Sequence, residues 1–289
     1  GRLWLAPGFL GLEWSRAWPG YHGRGVYNLQ NAWRLDRLLG EARARGILLE
    51  LALWQHGPFT RAYDSQWTDN PYNAANGGPI ADPATAPRDP AVRAGFRDLL
   101  RYLAARYGAD PNLFGWTMWI ECDSVAKSGL ANWHAAMAAH LRSLDPGRHP
   151  ISAEFITATG EADVWALPGI DYTQLAGYVS GEQVQTFLAR AATLQPFAKP
   201  ALIEEYGGKS NAGGVRWTAH LIHDGLWTGW FMRLAGTPLA WYWQVVFDQG
   251  LERHYRRFAA FIAGADLRGT AWTHRFVPIK GDGTLRALV

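Results

Sequence analysis

Short, wholly apolar runs alternate along this chain with longer segments whose apolar residues recur every three or four positions. Runs of the first kind suit strands buried on both faces of a parallel sheet. Segments of the second kind suit helices packed over that sheet. Strands are predicted over 2–7 and 47–54, the latter reading Ile-Leu-Leu-Glu-Leu-Ala-Leu-Trp. Between them a helix is predicted over 28–45. Asn28 caps it, Leu29, Ala32, Trp33, Leu35, Leu38 and Leu39 form its stripe, and Gly46 ends it. A Gly/Pro/Asn-rich loop over 55–88 follows, and loops of that length in a compact domain usually carry function. Asp89-Pro90 then opens a helix over 89–107. The series continues with strand 112–120, helix 129–144, strands 150–155 and 169–176, helix 181–194, strand 199–205, helix 214–234, strand 237–244 and helix 250–264.

The strands number seven, and a closed (β/α)8 barrel needs eight. The fold class is therefore α/β, a (β/α)8 TIM barrel one strand–helix unit short, spanning 1–272. A barrel left open would expose two sheet edges, so an N-terminal segment that completes it is expected. Residues 273–289 read differently: Phe276 to Lys280, Gly281-Asp282-Gly283 and Thr284 to Leu288 suggest a β-hairpin, the start of an appended β domain.

Composition changes this picture little. The 289 residues suffice for one large barrel, and 48% hydrophobic content supports its core. Cys122 is the only cysteine, which excludes an internal disulfide. The net charge is +3, and the 24 Arg and 4 Lys are spread along the chain, which argues against a nucleic-acid partner. No apolar run approaches the roughly 20 residues needed to span a bilayer. The 16 Trp are the loudest feature. Some must fill the core, but flat apolar faces also suit the C–H faces of sugar rings.

Candidate chemistry lies at two strand ends. Glu121 closes the run Leu113 to Ile120. Glu205 closes Pro200 to Glu204 and precedes Tyr206-Gly207-Gly208. The C-terminal rim of such strands is where barrels do chemistry, and two carboxylates at one cleft are the minimum for glycoside hydrolysis. Side chains alternate along a strand, so Glu204 should point away from the direction Glu205 takes. Met118 and Trp119 would wall Glu121 and favour its protonated form. Asp123 reads as a structural cap. His220 and His223 lie at i, i+3 on a helix but lack a zinc motif, so no metal is expected, and no cofactor.

Several stretches carry a family resemblance: Arg2 to Leu5, Tyr27 to Asp36, Asn70 to Pro79, Trp116 to Asp123, and Lys199 to Gly207. In these the chain resembles the clan A retaining β-glycosidases, specifically the cellulase- and β-mannanase-like barrels of glycoside hydrolase family 5. The resemblance implies that Glu121 is the acid/base and Glu205 the nucleophile of a double displacement, acting on a β-mannan or β-glucan type poly- or oligosaccharide. The family ending Glu-aromatic-Gly selects Glu205 over Glu204. The resemblance further implies that Arg2 and Tyr178 hydrogen-bond the nucleophile, that His56 and Trp119 line the substrate site, and that Trp243 floors the sugar pocket from the eighth strand. It places Arg2 near the end of the second strand, which implies that the barrel lacks its first strand–helix unit and that this chain holds units 2–8. It also implies a secreted or periplasmic bacterial protein. Retention asks for carboxyls about 5–5.5 Å apart, inversion for about 6.5–9.5 Å.

Two positions depart from the family pattern. Ile120 stands where the family has an Asn that binds the sugar 2-hydroxyl, and Ala176 stands where a His is common. A polysaccharide-binding barrel with weak or no turnover is therefore a rival, as is a structural barrel that binds a second polypeptide. Blander roles stay open for single residues: Tyr178 and Trp243 as packing, His56 as a core or loop histidine, Arg2 as a frayed terminus, Glu154 as a salt-bridged barrel residue.

Overall fold

In the computed structural model, Asn28 ends an extended stretch (φ −72°, ψ 99°) and its side-chain oxygen accepts from the Asn31 N–H at 3.0 Å. That bond satisfies one of the donors a helix start leaves open. The structure describes residues 1–126, 128–157, 162–178, 183–207, 214–232 and 234–265, with the strand backbones 274–278 and 284–288. Two compact units divide the chain, Gly1–Thr173 and Gln174–Val289.

In the first unit the order is β1 (Arg2–Trp4), α1 (Leu29–Ala44), β2 (Leu49–Trp54), α2 (Pro90–Tyr107), β3 (Leu113–Trp119), α3 (Leu130–Leu144), β4 (Ile151–Ser152), β5 (Glu154–Phe155) and the short α4 (Ala162–Trp165). Strands β1-β2-β3-β4 form one sheet in that order, every pair parallel. All six residues of β2 are buried, including Glu50, whose carboxylate accepts from the Tyr172 hydroxyl at 2.8 Å. Asp89 caps α2 by accepting from the Ala91 and Val92 N–H groups at 2.9 Å each. The core above the sheet is aromatic. Trp54 lies 4.4 Å from Phe96 and 5.2 Å from Trp119, centroid to centroid, and Trp119 lies 5.2 Å from Trp133.

The loop after β2 is ordered by asparagine side chains in place of regular structure. The Asn70 amide donates to the Pro58 carbonyl at 2.6 Å, Asn73 to Trp67 at 3.0 Å and Asn76 to Thr68 at 2.7 Å. Those bonds explain the Asn70-Pro71-Tyr72-Asn73 stretch, since Asx side chains mimic the backbone in turns.

The second unit holds most of β6 (Thr173–Leu175), then α5 (Gln183–Leu194), β7 (Ala201–Leu202), α6 (Val215–Trp230), α7 (Trp243–Asp248) and α8 (Glu252–Ile262). Phe187, Ile203, Tyr206, Leu221 and Met232 make one core cluster; Ile222, Leu226, Val246, Leu251 and Phe258 make another. Strands β8 (His274–Pro278) and β9 (Thr284–Leu288) pair antiparallel, His274 opposite Leu288. The turn expected at 281–283 and the boundary expected at 272/273 lie outside the described residues.

Five strand expectations need correction. Strand 2–7 shortens to Arg2–Trp4 and 199–205 to Ala201–Leu202. The segment 150–155 breaks at Ala153 into β4 and β5, and 169–176 shortens to three residues. The predicted strand 237–244 reduces to a bridge between Tyr206 and Ala240. The Tyr206 N–H donates to Leu239 at 3.0 Å and the Trp241 N–H to Tyr206 at 2.8 Å. At Trp243 the chain turns helical. A short aromatic and β-branched run cannot by itself distinguish strand from helix, and here one side chain, Val246, is buried while Trp243 and Phe247 are 52% and 71% exposed. No helix among the described residues is long and apolar enough to cross a membrane.

Candidate active site

Register brings His56 and Glu121 together. In the parallel pairing of β2 with β3, Trp54 stands opposite Trp119, and the Ile120 N–H still donates to the Trp54 carbonyl at 2.8 Å. Two residues past that pair on each strand come His56 and Glu121. At Glu121 the backbone turns left-handed (φ 51°, ψ 33°). For a residue with a Cβ this costs on the order of 1 kcal/mol, and such strain persists where the surroundings over-determine it. They do so here: the Glu121 N–H donates to the Glu154 carbonyl at 3.0 Å, and its carbonyl accepts from the Ser124 N–H (3.0 Å) and Oγ (2.6 Å). The turn lifts the side chain off the strand and leaves it 3% exposed.

Glu121 Oε2 lies 3.1 Å from His56 Nδ1, and His56 Nε2 lies 3.6 Å from Asp64 Oδ2. Burial holds the His56 imidazole below its ordinary value, against the pull of Asp64 and Asp123, so the ring is favoured neutral. Arg2 Nη1 donates to Glu154 Oε2 at 2.7 Å, a buried ion pair. Asp123 accepts from the Ile156 N–H (3.1 Å), the Thr157 N–H (2.9 Å) and the Thr157 hydroxyl (2.6 Å), which is a capping role.

Around Glu205 the second unit builds a different setting. The Tyr178 hydroxyl donates to Glu205 Oε1 at 2.7 Å, and the Gly177 N–H donates to the Glu205 carbonyl at 2.8 Å. Gly207 is needed for this approach: a Cβ there would sit 2.7 Å from the Tyr242 ring and 3.2 Å from the Tyr178 ring. Tyr206 is fully buried, its hydroxyl reaching the Leu221 carbonyl at 3.3 Å.

Three expected placements change. Trp119 is fully buried against Trp54, Phe59 and Trp133, and its indole N–H donates to the Gln55 carbonyl at 3.3 Å, so it packs the core and offers no face to a sugar. Trp243 opens α7 and not the end of an eighth strand. Glu204 does not reach solvent: it is 3% exposed, as is Glu205, because the irregular backbone past β7 ends the strict alternation. Ile120 and Ala176 are both fully buried. Sequence reasoning missed Tyr63, whose ring lies 5.0 Å from that of His56, and Asp64 beside it. It also missed Glu13, which accepts from the Gly25 N–H (3.1 Å) and the Tyr72 hydroxyl (3.2 Å). Glu13 lines a cavity of about 40 Å³ with Trp14, Trp54, Phe59 and Tyr72. Burial pushes its carboxyl up to about 7, although both hydrogen bonds and Arg24 act the other way. No chemical motif marks it in the sequence. Among the described residues no group of three His, Cys, Asp or Glu could hold a metal ion.

The chain is similar over its length to solved family 5 structures. The endo-1,4-β-mannanase of Rhizomucor miehei covers 90% of this chain, and 86% of itself, at a TM-score of 0.60 and 16% identity. A GH5_18 protein of Bifidobacterium longum subsp. longum, crystallised with Manβ1-4GlcNAc, covers 84% of this chain and 67% of itself at 0.62 and 13%. In sequence, mannan endo-1,4-β-mannosidase F of Aspergillus clavatus is 25% identical over 213 residues, 64% of this chain and 46% of that protein. The chain shares its fold with glycoside hydrolase family 5 structures. No family model matches it. This family 5-like chain spans about half the length of the Aspergillus relatives it matches.

Proposed function

We propose that this chain hydrolyses β-linked glycosides of the mannan type, with retention, using Glu121 as acid/base and Glu205 as nucleophile, and that it works outside the cell. The observation that carries the reading is the Tyr178 hydroxyl on Glu205 Oε1 at 2.7 Å. A nucleophilic carboxylate must be ionised, and a hydrogen bond donated to its charged form favours that state. Glu121 has the complementary setting: it is buried, beside an imidazole that burial keeps neutral. An acid in that setting keeps its proton near neutral pH, donates it to the leaving oxygen as Glu205 attacks the anomeric carbon, and then takes a proton from the water that hydrolyses the glycosyl-enzyme. The mannanase names among its relatives support a mannan substrate over a glucan.

Ile120 favours a second reading. It is fully buried and carries no amide, so a hydrogen bond to the sugar that strengthens in the transition state has to come from elsewhere. Without it, the chain would bind polysaccharide and turn it over slowly. One experiment addresses both: incubation with 2-deoxy-2-fluoro β-mannosides and β-glucosides, followed by peptide mass spectrometry. The expected result is a stable adduct on Glu205. An adduct on Glu204, or saccharide binding with neither adduct nor turnover, replaces the first reading with another.

A further inference from the structure

His56 is enclosed by a loop that returns on itself. The Gln66 N–H donates to the Gly57 carbonyl at 2.9 Å, and this closure carries Tyr63 and Asp64 back over the imidazole. Tyr63 lies tilted at 40° across the ring and close to Ser124, whose hydroxyl donates to the Glu121 carbonyl. Asp64, like Glu121, holds a left-handed backbone at φ 51°. The His56 ring is 6% exposed, and neither of its nitrogens has a hydrogen bond of good geometry. Each nonetheless faces a carboxyl, Glu121 at 3.1 Å and Asp64 at 3.6 Å. Catalytic hydrogen bonds are commonly misaligned in the free enzyme and tighten when substrate binds.

A neutral imidazole has one N–H and one bare nitrogen. The Asp64 side chain is 82% exposed, and a carboxylate there only accepts, so it draws the ring N–H to Nε2. Nδ1 is then bare and faces Glu121 Oε2. A bare nitrogen accepts a hydrogen bond from a carboxylic acid and repels a carboxylate.

We propose that His56 is the positioning residue of Glu121: its Nδ1 accepts the carboxyl's O–H and keeps Glu121 in the acid form between turnovers, while Asp64 and Tyr63 fix the ring. This rests on the reading of Glu121 as the acid. In the free enzyme the proton sits on Oε2 and points to Nδ1. When a glycoside is bound, rotation about the Glu121 Cγ–Cδ bond turns the O–H to the leaving oxygen. The proton departs with the alcohol, and water returns it in the second step. The groups facing the ring among the described residues are Glu121, Asp64, Tyr63 and, at longer range, Asp123. None of these groups around the ring is a cation.

The test has two arms. In the first, ¹⁵N NMR of the imidazole in the wild-type chain reads the tautomer. A protonated Nε2 with a bare Nδ1 is expected; a protonated Nδ1, or an imidazolium at neutral pH, overturns the proposal. Asp64→Asn, a change at an exposed side chain, is expected to mix the tautomers; an unchanged spectrum overturns the part given to Asp64. In the second arm, the alkaline limb of kcat/KM on an aryl β-mannoside is compared with that of His56→Asn, once circular dichroism shows it folded. The limb is expected to move about one pH unit lower, a tenfold loss on the alkaline side with little change on the acid side. A limb that stays, or moves higher, overturns the proposal. Should His56→Asn not fold, Asp64→Asn carries this arm with a smaller shift in the same direction. The failures are separable: no turnover of any β-glycoside by the wild type sinks the reading of Glu121 as acid, whereas turnover with the wrong tautomer sinks the role of His56 alone.

Discussion

The two acidic centres are built from opposite materials. Glu121 sits past β3 on a strained left-handed residue, beside a buried imidazole, and that unit's aromatic core of Trp54, Phe96, Trp119 and Trp133 packs behind the strand it leaves. Glu205 sits past the short β7 and receives a phenolic hydroxyl, with glycines at positions 177 and 207 letting backbone and rings close in. In the first setting a neutral ring faces the carboxyl; in the second a hydroxyl donates to it. Burial is the same for both, at 3% exposure, so burial does not distinguish acid from nucleophile. Among the described contacts they differ in the group that faces each, a neutral imidazole for Glu121 and a donating phenol for Glu205.

The sharpest way to break that contrast is to remove each carboxylate and ask what azide does. Glu205→Ala is expected to lose about 10⁴-fold or more in kcat, the scale for a residue that acts as part of a unit. Added azide should restore turnover of an activated aryl β-glycoside by direct displacement, giving the α-glycosyl azide. Glu121→Ala is expected to lose about 10²–10⁴-fold on a poor leaving group, since general acid catalysis is worth that much, and far less on a dinitrophenyl glycoside. Its azide product should be the β-anomer, because the glycosyl-enzyme still forms on the other face. NMR of the two products decides the matter; exchanged anomers would exchange the roles.

The next test asks whether the first unit really holds carboxyls protonated. Glu13 is its direct reporter, since burial raises its carboxyl from 4.5 to about 7. A folded-state value above the unfolded one means that folding favours the protonated form. Stability is then full below pH 4.5, falls as the pH rises from 4.5 to 7, and is flat above that with respect to this group. The loss is at most about 3 kcal/mol, at 1.36 kcal/mol per pH unit, and less where solvent screens the open side. Urea melts of the wild type and Glu13→Gln at pH 4.5 and 7.5 measure it. Parallel curves for both proteins would mean that this unit does not shift its acids.

Much of this was legible in the sequence where the determining chemistry is local. Asn28 and Asp89 cap their helices with their own side chains, and β2 and β3 are mostly apolar runs. The eighth strand was not, because Trp241 to Phe247 suits either period. The structure makes it a helix, with the Val246 N–H on the Tyr242 carbonyl at 3.2 Å and Gly250 at φ 59° ending the turn. In the site, Glu121 and Glu205 could be found from strand ends, and Tyr178 from its resemblance. The partners could not. His56 meets Glu121 only through the register of Trp54 with Trp119, and Arg2 meets Glu154 across 152 positions. Glu204 shows the remaining limit: alternation predicts direction only while the backbone stays a strand, and β7 ends at Leu202.

The finest probe of the contrast is the one oxygen that separates Tyr178 from Phe. Tyr178→Phe keeps the ring against Gly207 and removes the donor to Glu205. A hydrogen bond to a charged acceptor contributes about 1.5–3 kcal/mol, which sets the expected fall in kcat/KM at about 10- to 100-fold. The loss should be steepest at low pH, since without the donor the ionised nucleophile is harder to form and the acid limb of the profile moves higher. The alkaline limb belongs to the other carboxyl and should stay. If Tyr178→Phe moves the alkaline limb and leaves the acid limb in place, then the phenol serves the proton donor, and the two centres have been matched with the wrong roles.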